Sequence, residues 1–174
     1  MRSIALISGA TAGIGRATAI TLARNNFDVI ITGRRSEKLE SVEEEIRSKT
    51  EADVLSLNFD IRDLKAVSKA CVQLKGKWEH VDVLVNNAGL AAGLSQIHEG
   101  SLDDWEQMID TNIKGLLYIT RLISPGMVKR GKGHIINLGS VAGKEAYEKG
   151  NVYLSILGYI LAGLGAGATL RHFT

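Results

Sequence analysis

Five strand-length apolar segments, separated by amphipathic stretches, constrain the fold of this chain more than any other feature of its sequence. The segments are Ile4–Ser8, Val29–Thr32, Val54–Leu57, Val81–Val85 and His134–Leu138. Strands with so few polar residues are usually buried on both faces, as in a parallel sheet that lies between two layers of helices. Because crossovers between parallel strands are right-handed, this order predicts an α/β fold with a doubly wound parallel sheet.

Helical periodicity fills the intervals between these strands. We expect a helix over Ile14–Arg24 and a second helix that is capped by Ser36. The apolar face of the second helix is expected to consist of Leu39, Val42 and Ile46, and that of the third of Leu64, Val67, Cys71 and Leu74. The fourth helix has Leu102, Trp105 and Met108 on its apolar face. Ser101 to Asp104 resembles a capping box that opens the fourth helix. A longer helix then runs to about Arg130, interrupted at Pro125.

Composition excludes several classes of protein. The 174 residues carry a formal net charge of +2, and 45% of them are hydrophobic, which is typical of one globular domain. No long basic run is present, so we expect no nucleic-acid partner. Cys71 is the single cysteine and the histidines are scattered, so we expect no internal disulfide and no metal site. The apolar N-terminal stretch is too short for a signal peptide, which predicts a cytoplasmic protein.

A glycine-rich loop connects the first strand to the first helix. Its sequence from Ser8 to Gly15, SGATAGIG, has the spacing GxxxGxG. Glycines permit a tight turn and a close approach of a pyrophosphate, and a helix N-terminus offers that anion free N–H groups. A plain structural turn is the alternative, but the position between a strand and a helix favours nucleotide binding. The candidate contacts are Gly9, Thr11, Gly13, Ile14 and Gly15.

Charged residues follow the second and third strands. About 20 residues after the glycine loop, NAD-preferring sites place an Asp or Glu, whereas this chain has Arg34 and Arg35. A guanidinium pairs with the 2′-phosphate of NADP through two parallel hydrogen bonds; the alternative is a solvated basic turn. Asp60 follows the third strand, where it either accepts a hydrogen bond from an adenine amino group or caps the next helix.

The fourth strand ends in two amides and two small residues, Asn86-Asn87-Ala88-Gly89. Ligands of doubly wound sheets bind in the crevice beyond the carboxyl ends of the strands. Small residues let a ligand approach the backbone there. We therefore take Asn86, Ala88 and Gly89 as further candidate contacts of a cofactor.

In this order, the motifs resemble those of the short-chain dehydrogenase/reductase family, over residues 1–153. The resemblance rests on the glycine loop, Asp60, the Asn86–Gly89 stretch, Asn112 in Thr-Asn-Ile-Lys-Gly, and Ser140 thirteen residues before Tyr153. Within the family, the chain is most similar to the NADP-dependent 3-hydroxy acid (serine/allo-threonine) dehydrogenases. That similarity is carried by Asn86–Gly93, Trp105–Gly115, Asn151–Tyr153 and Gly33-Arg34-Arg35.

The resemblance implies a Rossmann-like fold, NADP as the cofactor, and hydride transfer between the nicotinamide and the carbinol carbon of a small hydroxy acid or hydroxy amino acid. It implies that Tyr153 is the general base in oxidation and that Ser140 hydrogen-bonds the substrate oxygen. Asn112 would hold a helix kink and a water of a proton relay. Because members of the family assemble as dimers or tetramers, we also expect a homo-oligomer.

The chain departs from the family pattern after Tyr153. Members carry a lysine four residues further on, which lowers the pKa of the tyrosine and binds the nicotinamide ribose, but Leu157 stands at that position. Since a free tyrosine has a pKa of about 10, we expect a large loss of turnover, while phosphate binding survives. The alternative function is a non-catalytic NADP-binding module or interaction protein.

We divide the chain into a dinucleotide-binding domain, residues 1–153, and a divergent apolar tail, residues 154–174, with the C-terminal part of the family fold missing. The tail has no charge over residues 154–170 and is rich in glycine. Three origins of this tail are open: an altered reading frame, which we favour, a real divergence, or a membrane anchor. The anchor is an option because the 17 uncharged residues reach the lower length limit of a spanning helix. The fifth strand is then expected to form an exposed apolar edge of the sheet.

Overall fold

A five-stranded parallel sheet is the centre of the fold. The computed structural model describes residues 2–93 and 95–140, together with Val152, Tyr153 and Ile156. The strands are β1 (Ser3–Ile7), β2 (Phe27–Gly33), β3 (Val54–Asn58), β4 (Val81–Asn86) and β5 (His134–Asn137), and they lie in the order β3-β2-β1-β4-β5. All four neighbouring pairs are parallel. This confirms the predicted doubly wound α/β sheet, with its topological switch point between β1 and β4.

Helices connect successive strands. They are α1 (Gly13–Arg24), α2 (Ser36–Lys49), α3 (Leu64–Val72), α4 (Leu102–Ile109) and α5 (Leu116–Arg130). A 3₁₀ turn, Gly76–Glu79, precedes β4, and a π-helical segment, Asp110–Gly115, joins α4 to α5. π-Helical segments are rare and frequently occur at functional sites.

Each face of the sheet is covered by its own helices. Successive side chains of a strand point to opposite faces. From β1, Ile4 and Leu6 belong to the core that contains residues of α3 and α5, whereas Ala5 and Ile7 pack with residues of α1 and α2. Because both faces are buried, almost every position of the strand must be apolar, which explains the pattern of the sequence.

Several details of the helices differ from the predictions. Arg35, and not Ser36, is the N-cap of α2, because Ser36 already has helical geometry. Leu64 and Leu102 are 47% and 70% exposed, since each is the first residue of its helix and lies at the end of it rather than over the sheet. Leu74 follows the end of α3, yet it is buried in the core. The predicted cap at Ser101 is confirmed, as its side chain accepts a hydrogen bond from the N–H of Asp104.

β5 forms one edge of the described sheet and pairs with β4. Ile135 is buried while Ile136 is 38% exposed, and among the described strands β5 has a neighbour on one side only. No helix in the described part of the chain is long and apolar enough to cross a membrane. The candidate anchor at residues 154–170 and the position of Leu157 lie outside the described residues, so the proposed division at residue 153 stays a prediction.

Candidate functional site

A cleft of about 710 Å³ opens at the carboxyl ends of β1 to β4. This volume is within the usual range of small-molecule sites. Most of the contacts proposed from the sequence line it, namely Gly9, Thr11, Gly13, Ile14, Arg34, Arg35, Asp60, Ala88 and Gly89. The remaining walls include Asn87 and Thr111, which the sequence did not single out as cofactor contacts.

The glycine loop lies directly against the end of β4. Gly9 has a φ of +68° and Gly13 a φ of +54°, a region that side chains other than glycine rarely adopt. A Cβ on Gly9 would also lie 2.8 Å from the Cα of Ala88. The loop can take this path because its glycines remove both the backbone strain and the steric overlap.

Ser8 and Asn87 fix the loop to β4. The side-chain amide of Asn87 donates hydrogen bonds to the carbonyl oxygens of Ser8 and Gly9, at 2.8 and 3.0 Å. The hydroxyl of Ser8 accepts hydrogen bonds from the main-chain N–H groups of Asn87 and Ala88, both at 3.0 Å. Ser8 is buried. The sequence signal that could have revealed this clamp was a serine at the end of an apolar strand, directly before the glycine loop.

Gly15 and Asn86 lie behind the cleft and do not line it. A Cβ on Gly15 would lie 2.5 Å from the carbonyl oxygen of Gly9 and would overlap the amide of Asn87. The buried amide of Asn86 donates to Thr120 on α5 and to Asn137 on β5, at 2.9 and 2.8 Å. Both residues therefore shape the site from below the surface.

The N-terminus of α1 opens onto the cleft. Its N-cap, Ala12, provides no side-chain hydrogen bond, and the first turn contains no acidic residue. Ala12, Gly13 and Ile14 all line the cleft. The first N–H groups of a helix have no partners within the helix and carry partial positive charge, so this end suits an anion such as a diphosphate.

Basic side chains border the cleft at the end of β2. Arg35 donates to the hydroxyl of Thr11 at 2.6 Å, which joins this border to the glycine loop. Arg34 lies 3.7 Å from the carboxylate of Asp60, and both side chains are partly exposed. Two guanidinium groups on one side of a cleft make it attractive to a phosphate.

Asp60 does not cap α3, so that alternative is wrong. The cap is Asp63, whose carboxylate accepts from the N–H groups of Lys65 and Ala66. Asp60 pairs instead with Arg62 at 2.7 Å. Partial burial raises the pKa of Asp60, but the hydrogen bonds from Arg62 and the charges of Arg62 and Arg34 outweigh it and hold the pKa below its usual range.

Asn112 lies in the π-helical segment and ties it to the loop after β4. Its side-chain oxygen accepts from the N–H of Leu90 at 2.9 Å, and its nitrogen donates to the carbonyl of Leu90 at 2.8 Å. Both polar atoms of the amide are thus engaged with one residue.

Ser140 and Tyr153 are both described, and neither lines the 710 Å³ cleft. Ser140 follows β5 and is half-buried. Tyr153 has helical geometry and packs against Met108, Leu116 and Ile156. The α4–α5 region that carries Asn112 is thus also in contact with the segment that carries the tyrosine.

Metal and thiol chemistry were the remaining options for the described residues. Among the described residues, no group of three or more His, Cys, Asp or Glu side chains could hold a metal ion. Burial raises the pKa of Cys71 to about 11, which keeps the thiol protonated and unreactive at neutral pH.

Comparison with known proteins decides the family. The family of the short chain dehydrogenases matches residues 3–155, which include the sheet and every segment of the cleft. The chain belongs to the short-chain dehydrogenase family. The fold agrees, since the crystal structure of serine dehydrogenase from Escherichia coli superposes with a TM-score of 0.85 at 43% identity, over 90% of this chain and 71% of that one.

Other similar proteins of the family are named for a cofactor or a substrate. The NADP-dependent 3-hydroxy acid dehydrogenase YdfG of Salmonella typhi is 49% identical over 150 residues, which are 86% of this chain and 59% of that protein. The closed form of serine dehydrogenase complexed with NADP+ has a TM-score of 0.85 at 43% identity, over 90% of this chain and 62% of that one. The chain thus spans about 59% of the length of the curated relatives it matches.

The substitution Gly15→Ala tests whether the clamp behind the cleft sets the geometry of the loop. The new methyl group meets the Gly9 carbonyl and the Asn87 amide, so we expect a loss of about 2–3 kcal/mol in the free energy of unfolding. Urea denaturation measures it. The control is Gly126→Ala in α5, where the nearest atom is the side-chain Nη1 of Arg130 at 3.3 Å; it should not destabilise the protein and should raise the free energy of unfolding by up to about 1 kcal/mol, because alanine is the better helix former. Equal effects of the two substitutions would contradict this account.

Proposed function

We propose that this chain forms the cofactor-binding part of an NADP-dependent oxidoreductase that acts on a small hydroxy acid or hydroxy amino acid. The observation that carries the proposal is the combination of Arg34 and Arg35 with the uncapped N-terminus of α1 in one cleft. The names of the relatives, which include NADP and 3-hydroxy acids, support the same function. We also expect a cytoplasmic homo-oligomer.

The cleft suits the two phosphate-bearing positions of the adenosine half of NADP, namely the diphosphate and the 2′-phosphate. The helix N-terminus at Gly13 and Ile14 would hold the diphosphate, and the close packing of Gly9 on Ala88 leaves room above it. Arg34 and Arg35 would pair with the 2′-phosphate, which NAD lacks. Gly15 and Asn86 would act by supporting the loop and the strand end.

We assign the reacting side chains from the family resemblance. NADP supplies a hydride acceptor when it is bound. Tyr153 would hold the proton of the substrate hydroxyl, and Ser140 would orient that oxygen by a hydrogen bond. Asn112 would hold the helix kink and a water of the proton relay, and its two hydrogen bonds to Leu90 also connect it to the loop after β4.

A second candidate function is a non-catalytic NADP-binding module. The observation that favours it is Leu157, four residues after Tyr153, where the family has lysine. A cation near a tyrosinate stabilises the charged form and lowers the pKa of the tyrosine. Without that lysine, the proton transfer assigned to Tyr153 loses its nearby cation, whereas the residues proposed to bind phosphate are unaffected.

Cofactor selectivity provides the first test. Arg34→Ala removes one candidate partner of the 2′-phosphate, and we expect it to weaken NADPH binding about tenfold or more, since hydrogen bonds to charged groups are worth about 1.5–3 kcal/mol. NADH binding should change less than about twofold, because NADH has no phosphate at that position. Fluorescence titration of both nucleotides measures the two Kd values.

The matched control for this test is Arg47→Ala. The Arg47 side chain is 53% exposed and pairs with Glu43, while that of Arg34 is 54% exposed. Arg47 contacts the start of β3, at the opposite end of the sheet from the cleft. It should leave both affinities unchanged. If Arg34→Ala weakens NADPH and NADH equally, the phosphate role is refuted.

Turnover separates the enzyme from the binding module. We expect the chain to reduce NADP+ with serine or a 3-hydroxy acid at a rate about 10²–10⁴-fold below that of the Escherichia coli serine dehydrogenase, because the proton transfer is impaired. Absorbance at 340 nm follows NADPH formation. Rates equal to those of the relative would show that Leu157 does not impair catalysis; NADPH binding without any turnover favours the module.

A further inference from the structure

The carboxylate of Asp60 is occupied by Arg62. One oxygen, Oδ1, accepts from the main-chain N–H and the Nε of Arg62 at 3.0 and 3.1 Å. The other, Oδ2, accepts from Nε and Nη2 of the same residue at 3.1 and 2.7 Å. Three N–H groups of Arg62, with the Nε–H shared between the two oxygens, thus fill most of the roughly four acceptor positions of the Asp60 carboxylate.

Arg34 forms a longer ion pair with the same carboxylate but no hydrogen bond to it. Its Nη1 is 3.7 Å from Oδ2 of Asp60, which is beyond hydrogen-bond distance. The backbone brings the two residues close together, because the carbonyl of Gly33, next to Arg34, accepts hydrogen bonds from the side chain of Asn58 and the N–H of Phe59, at 3.0 and 3.1 Å. The ends of β2 and β3 therefore hold Arg34 and Asp60 side by side.

The charges at this edge of the cleft favour a phosphate only while Arg62 is present. Arg34, Arg35 and Arg62 contribute three positive charges against the single negative charge of Asp60. The balance of two positive charges matches a phosphate monoester, which carries about −1.5 to −2 at neutral pH. Without Arg62 the balance falls to one, and an unpaired carboxylate remains beside the site.

We propose that Arg62 is a positioning residue that sets selectivity for the 2′-phosphate by occupying Asp60, so that Arg34 stays available to the cofactor. This inference rests on the proposed function and adds a residue to it. Arg62 does not line the cleft; it acts through Asp60. Asp60 in turn serves as the counter-ion of this cluster.

The substitution Arg62→Gln removes the partner and leaves the carboxylate. Asp60 then attracts Arg34 and repels the phosphate. We expect NADPH to bind about fivefold more weakly, in line with partly exposed ion pairs, while NADH binding changes less than about twofold. The readout is the ratio of the NADH and NADPH Kd values, measured by fluorescence titration, which a general loss of structure would not change selectively.

The double variant Asp60→Asn/Arg62→Gln provides the decisive comparison. It has the same net charge at this edge as the parent, because one cation and one anion are removed together. Its selectivity ratio should return to within about twofold of the parent value if the two residues act as a pair. Arg62→Lys keeps the charge and should retain most of the selectivity. Arg47→Gln, which breaks a comparable pair with Glu43 far from the cleft, should change nothing.

Each result bears on one claim. If the parent itself does not prefer NADPH over NADH, the proposed function fails. If the parent prefers NADPH but Arg62→Gln weakens both nucleotides equally, or neither, only the role of Arg62 fails. The role also fails if the double variant keeps the reduced ratio. Should Arg62→Gln not fold, Arg62→Lys and the double variant decide: preserved ratios support the pairing, and lost ratios overturn it.

Discussion

The contact between the first loop and the end of β4 is the constraint on which the site depends. β1 and β4 are neighbours in the sheet although β2 and β3 separate them in sequence, so the chain must return to the same edge to build a cleft there. Ser8 and Asn87 make that return specific through hydrogen bonds in both directions. The glycine at position 9 allows the contact to be close enough, and the helix N-terminus beyond it then faces the cleft.

Charged side chains add selectivity to the binding site that the backbone forms. The loop and helix provide a cradle that suits any dinucleotide, because main-chain N–H groups do not distinguish one phosphate ester from another. Selectivity must come from the side chains at the ends of β2 and β3, where Arg34, Arg35 and Asp60 meet. In our proposals, the affinity for NADP and the discrimination against NAD therefore arise from different parts of the same cleft.

Much of the fold and of the candidate site could be predicted from the sequence, because the sequence patterns that determine them are local. Runs such as Val29–Thr32 must be buried on both faces, and a glycine loop between a strand and a helix has few other uses. What escaped prediction depends on pairs far apart in sequence or on exact helix ends. The clamp of Ser8 on Asn87 joins residues 79 apart, and the exposure of Leu64 follows from its place as the first residue of α3. For Asp60 the sequence left a helix cap open, and only the structure shows that Asp63 caps α3 and that Asp60 pairs with Arg62.

The central claim is that the cleft recognises a 2′-phosphate. Two small ligands, each corresponding to part of the adenosine half of one cofactor, test this claim most directly. Isothermal titration calorimetry of the chain with 2′,5′-ADP and with 5′-AMP compares ligands that differ at the 2′ position and need neither nicotinamide nor substrate. The account predicts that 2′,5′-ADP binds at least about tenfold more tightly, a difference of about 1.4 kcal/mol, and that the difference shrinks as salt concentration rises. Equal affinities for the two ligands would contradict it.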